Sequence, residues 1–121
     1  MHIIVAGSRD FNDWERLCRI LDKEVKPGDT IVSGAARGAD QMGEQYANAH
    51  NIPVLRMPAH WTLYGKSAGY RRNEAMADRA QKAIVFWDGQ SRGSKHMIDI
   101  AHARGLEVLI VRTDRKEGNL S

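Results

Sequence analysis

Three short segments of this chain hold the residue types that bind phosphates: GSRDF at Gly7 to Phe11, SGAARGAD at Ser33 to Asp40, and DGQSRGS at Asp88 to Ser94. Each follows an apolar run and precedes a helix-like stretch. Glycines let the backbone approach a ligand, and the N–H groups at a helix start carry partial positive charge that favours an anion. Arg9, Arg37, Arg92 and Lys95 lie in or beside these loops, and Lys66, Arg71 and Arg72 open one further helix. Glycine, helix start and cation together describe an anion cradle, and a phosphorylated small molecule is the ligand it suggests.

The elements that would position these loops follow from periodicity. Strands are expected at His2 to Ala6, Thr30 to Ser33, Pro53 to Arg56, Ala83 to Trp87 and Leu106 to Val111. Helices are expected at Asn12 to Glu24, Gly38 to His50, Ser67 to Gln81 and Ser94 to Arg104, the last ended by Gly105. Met42, Tyr46 and Ala49 are assigned to the inner face of the second helix, and Ala68, Ala75, Met76 and Ala80 to that of the third. Runs such as IIVA and AIVFW are apolar on consecutive residues, as strands buried on both faces are. Strict alternation with right-handed crossovers then predicts an α/β, Rossmann-like three-layer sandwich around a five-stranded parallel sheet of order 3-2-1-4-5. Its topological switch falls between strands one and four, so GSRDF and DGQSRGS flank the crevice where such sheets bind ligands. The segment Met57 to Lys66, with His60, Trp61 and Tyr64, reads as a long loop suited to a lid.

With 121 residues the chain is expected to form one domain over residues 1–112, followed by a polar, frayed tail over 113–121. Charged residues make up 27% and hydrophobic ones 42%, with no apolar run of membrane-spanning length, so no membrane partner is expected. The first strand starts at His2; no signal peptide and a cytoplasmic location are the expectation. Cys18 is the only cysteine, which excludes an internal disulfide, and its helical spacing from Trp14, Leu17, Leu21 and Val25 makes it a packing residue on the apolar face of one helix. A net charge of +3 permits nucleic-acid binding without arguing for it.

Other readings of the motifs fail on spacing. GSRDF has one glycine where the dinucleotide fingerprint needs three, and Gly65-Lys66-Ser67 lacks the first glycine of a P-loop, so neither tight dinucleotide cofactor binding nor ATP hydrolysis is expected and no cofactor is assigned. Gly89 to Gly93 matches GxSxG, but the later histidines, His96 and His102, sit on the helix that Ser91 introduces, where a hydrolase triad cannot use them. The five histidines show no metal-ligand spacing, and no metal is assigned. Asp40 reads either as a complement to its helix dipole or as a ligand for a ribose hydroxyl. Trp61, Tyr64 and Tyr70, interleaved with Lys66, Arg71 and Arg72, read either as core aromatics or as stacking surfaces for a base.

Taken in order, GSRDF, SGAARGAD, the segment WTLYGKSAG, Arg72-Asn73 and WDGQSRGS resemble the SLOG superfamily, with its Smf/DprA and LOG relatives, and within it the small YspA-like, YpsA-related group. The resemblance implies a Rossmann-like fold, a nucleotide or nucleotide-derived ligand, and homo-oligomers. SGAARGAD is similar to the SGxAxGID segment of the DNA-processing branch, with Ala39 for isoleucine. Arg72 to Met76 fits the RxxxM pattern of the phosphoribohydrolase branch, and Gly89 to Met97 resembles its GGxGTxxE loop, with Ser94 for threonine. Met97 stands where that branch has its catalytic glutamate, so no catalytic residue is assigned, although Glu74 and Asp99 are candidates to substitute.

The sequence reading is therefore a nucleotide-binding or sensing protein. Gly7, Ser8, Arg9, Ser33, Gly34, Arg37, Gly38, Asp40, Asp88, Gly89, Ser91, Arg92, Gly93 and Ser94 would form the phosphate and ribose cradle. Lys66, Arg72 and Asn73 would supply further polar contacts, with Arg72 pairing bidentately with phosphate, and Trp61 or Tyr64 would cover the base. The alternatives are a nucleoside monophosphate N-glycoside hydrolase or transferase and, less favoured, a single-stranded nucleic-acid binding module.

Overall fold

The computed structural model describes residues 1–115; the rest of the expected tail lies outside the described residues. Its strands are β1 (His2–Gly7), β2 (Thr30–Ser33), β3 (Val54–Arg56), β4 (Lys82–Trp87) and β5 (Glu107–Arg112). The helices are α1 (Trp14–Glu24), α2 (Ala39–Ala49), α3 (Trp61–Tyr64), α4 (Ala68–Arg79) and α5 (Arg92–Ala103), with a 3-10 turn at Gly65–Ser67 between α3 and α4. All pairings are parallel and the sheet order is β3-β2-β1-β4-β5, the expected α/β Rossmann-like arrangement.

The doubly apolar strands divide their side chains between two cores. Ile3 and Val5 of β1, with Ile31, Ile84 and Phe86, meet Leu17 and Leu21 of α1 and Tyr46 and Ala47 of α2. Ile4 and Ala6, with Val32, Ala83 and Val85, meet Met76 of α4 and Met97, Ile98 and Ala101 of α5. Because strand side chains alternate in direction, a run such as IIVA feeds both layers, which is why it carries no polar residue. Cys18 packs on the first core, and burial together with nearby Asp22 pushes its thiol pKa up, the direction opposite to activation.

Several local expectations shift. On α2 the buried residues are Ala39, Asp40, Gly43, Tyr46 and Ala47, Met42 packs on the first core as expected, and Ala49 is exposed; α2 lies so close to β1 that a Cβ on Gly43 would come within 2.8 Å of Val5. Ala75 is only half-buried, whereas Ala68, Met76 and Ala80 are buried as expected. Helix α1 starts at Trp14, after Asp13 caps the Arg16 N–H, and α5 starts at Arg92 rather than Ser94 because Ser91 is its cap. Strand β4 begins one residue early at Lys82, a buried cation that ion-pairs with Glu24 and Glu107. The segment expected as a long loop is structured by α3 and the turn that follows. Among the described residues no helix is long and apolar enough to cross a membrane.

Candidate functional site

The carboxyl ends of β1 and β4 meet at the strand-order switch, and the loops leaving them are tied together. The Ser8 N–H donates to the Phe86 carbonyl at 2.9 Å, and the Ser8 Oγ accepts from the Asp88 N–H at 3.2 Å. Asp88 then organises its own turn: its Oδ1 accepts from the Gln90 and Ser91 N–H groups at 2.8 and 2.7 Å, and these bonds hold its carboxyl below the usual range. Ser91 caps α5 by accepting from the Ser94 N–H, and its Oγ lies 3.1 Å from the Ser94 Oγ. Asn73 of α4 reaches across, donating from Nδ2 to the Gly93 carbonyl at 3.2 Å.

Above these loops opens a crevice of about 520 Å³, within the range of small-molecule sites. Of the residues singled out by sequence, Gly7, Ser8, Arg9, Asp40, Trp61, Lys66, Arg72, Asn73, Asp88, Ser91, Gly93 and Ser94 line it. Its wall also includes Asp10, Ala36, Gly69 and Gln90, which the sequence reading did not assign, Tyr70, which it read as either a core or a stacking aromatic, and Met97, which it placed where a glutamate would serve. Asp10 was readable as the neighbour of Arg9 in GSRDF. Ala36 and Gly69 carry no chemical signature that would have marked them.

Asp40 lies under the mouth with 4% of its surface exposed. Burial raises its carboxyl to about 6, against the opposing pull of the Arg72 guanidinium and the N–H groups of Ala36, Gly7 and Gly34. Arg72 is itself half-buried, its Nη1 donating to the Gly34 carbonyl and its Nε to Asn73 Oδ1 at 3.0 Å. Part of the donor fork expected for a ligand is therefore spent on the protein. Burial and nearby Arg9 lower its pKa while Asp40 raises it. Arg9 and Lys66 make no ion pair with a protein carboxylate among the described residues, so their charges are available to the crevice.

The remaining assigned residues lie elsewhere. Ser33 is buried at the end of β2, where its Oγ donates to Glu44 Oε2 at 2.6 Å and accepts from the Ala35 N–H at 3.0 Å. Gly34 and Gly38 are close-packing positions: a Cβ on Gly34 would lie 2.6 Å from Arg72 Nη1 and 2.8 Å from Asp40 Oδ2. Gly38 has φ +79° and would place a Cβ 2.4 Å from the Ser8 carbonyl oxygen. Gly89 abuts Arg112, and Arg37 and Arg92 are exposed outside the crevice wall. Tyr64 faces a neighbouring groove, with the Arg71 guanidinium 4.4 Å from its ring centre. Glu74 is exposed and outside the crevice, and Asp99 is bound to Lys95 at 2.7 Å, so neither replaces the missing glutamate there.

Comparison with known proteins adds three findings. The family model described as "YAcAr: YspA, cpYpsA-related SLOG family" matches residues 1–64. The Gene 61 protein of Mycobacterium phage D29 is 30% identical, the match covering 88% of this chain and 93% of that protein. The X-ray structure of DNA processing protein A (DprA) from Streptococcus pneumoniae superposes with a TM-score of 0.75 at 17% identity over 98% of this chain, a likeness of fold. The match takes in 51% of that chain, so the protein spans about half its length.

Proposed function

The chain belongs to the YspA, cpYpsA-related SLOG family, and from that premise we propose that its crevice binds a nucleotide or nucleotide-derived phosphorylated ligand. The observation that carries this reading is that Arg9, Lys66 and Arg72 line the same crevice as Ser91, Gly93 and Ser94 at the start of α5. The start of a twelve-residue helix together with three cations suits a phosphate group. Half-exposed Trp61 and Tyr70, on the same wall, would face a base. Asp40 and Asp88, which both line the crevice, would serve as acceptors for ribose hydroxyls.

Arg9 and Lys66 give the cleanest test, because Arg72 also holds Gly34 and its loss would disturb the fold. Removing either cation should weaken binding of a nucleoside monophosphate roughly tenfold, given about 1.5 kcal/mol or more for a charge-assisted bond. Arg104, which pairs with Asp78 away from the crevice, serves as the control. Titration calorimetry of Arg9→Ala, Lys66→Ala and Arg104→Ala decides the matter. Equal affinities in all three would overturn the assignment.

A further inference from the structure

Beside the crevice lies a groove of about 440 Å³ whose floor includes Ala68 and Ala75 and whose rim carries His60, Tyr64 and Arg71. The two cavities share Arg72, and the segment from His60 to Lys66 stands between them. Its side chains divide accordingly: Trp61 and Lys66 line the crevice, His60 and Tyr64 the groove. Each cavity therefore has an aromatic ring and a cation of its own, with one guanidinium common to both. Tyr64 is 41% exposed and held beneath the guanidinium of Arg71, whose Nε also donates to Ser67 Oγ at 3.1 Å, so the ring is positioned while part of its surface stays open.

Resting on the nucleotide reading above, we infer that the ligand is bipartite: a dinucleoside whose diphosphate bridge passes Arg72, with one nucleoside in the crevice and the other in the groove. The apolar floor and the Tyr64 ring suit a planar heterocycle, and Arg72, which lines both cavities, suits the bridge. Joining two half-ligands makes the second contact intramolecular, and a gain of roughly a hundredfold over either half alone is expected.

The test compares the four ribonucleoside monophosphates with the corresponding symmetric dinucleoside diphosphates by titration calorimetry. For at least one base the dinucleoside should bind about a hundredfold more tightly. Tyr64→Ala and His60→Ala, neither of which lines the crevice, should lower dinucleoside affinity about tenfold and leave mononucleotide affinity within about twofold. Mononucleotide binding that depends on Arg9 and Lys66, with no gain from the second nucleoside, would overturn the bipartite ligand and leave the crevice assignment standing. Tight oligonucleotide binding that is lost in the groove variants, with no dinucleoside preference, would overturn it in favour of strand binding. Absence of binding by every probe would overturn both readings. The comparison of ligands on the unaltered protein stands even if a variant folds poorly.

Discussion

At the scale of single residues, Asp40 carries the clearest energetic signature. Its carboxyl is raised from 3.8 to about 6, so the folded protein holds this proton more tightly than the unfolded chain does. Stability from the protonated form is fully present below pH 3.8 and is lost as pH rises through about 6; at neutral pH the ionised, buried carboxylate costs on the order of 3 kcal/mol. Asp40→Asn removes this titration. The stability of the variant relative to the unaltered protein should therefore rise between pH 4 and pH 7.5, by up to about 3 kcal/mol, in chemical denaturation measured across that range. A difference that stays flat with pH would contradict the buried ionisation. Met97 lines the crevice, whereas the carboxylates of Glu74 and Asp99 do not. Incubation with nucleoside monophosphates should release no free base by chromatography, and release abolished by Asp40→Asn would transfer the acid's role to that residue.

At the scale of elements, the glycine loops serve two ends that the sequence could not separate. Alternation of apolar runs and helical stretches made β1, β2, β4 and β5 and their order legible, because strands buried on both faces leave few polar positions. It did not reveal that Gly34 and Gly38 are small to admit Arg72, Asp40 and the Ser8 carbonyl; these contacts join residues up to 38 positions apart and leave no local trace. Gly93 differs, since a Cβ there meets nothing within 4 Å and would project from α5 beside the crevice. Gly38→Ala should cost roughly 2 kcal/mol or more through its positive φ and backbone clash. Gly93→Ala should leave stability within about 1 kcal/mol while weakening nucleotide affinity. Thermal melting paired with titration of both variants checks the contrast, and a strongly destabilised Gly93→Ala would show that the α5 start is packed rather than open. Helix faces were less legible than strands: Ala47 and Ala49 are chemically identical, and which one turns inward follows from the tertiary packing of Ala39, Gly43 and Tyr46 on the same face.

At the scale of the whole molecule, the net charge of +3 is modest, and the crevice balances Arg9, Lys66 and Arg72 with Asp10, Asp40 and Asp88. A surface tracking a long phosphate backbone would accumulate cations instead, and its affinity would fall steeply with salt as counterions are released. Binding of an oligonucleotide should accordingly be weak and of shallow salt dependence in fluorescence anisotropy. The central claim, that a nucleotide occupies the switch-point crevice, is tested most directly by titrating a mononucleotide into isotopically labelled protein and following amide and indole resonances. Shifts should concentrate at Gly7 to Asp10 and Ser91 to Ser94, with the Trp61 indole moving and the amides of Asp29 and Gly105, which precede β2 and β5 at the opposite edge of the sheet, staying fixed. Shifts confined to that opposite edge, or an unmoved Trp61 beside displaced Asp29 and Gly105, would contradict the claim.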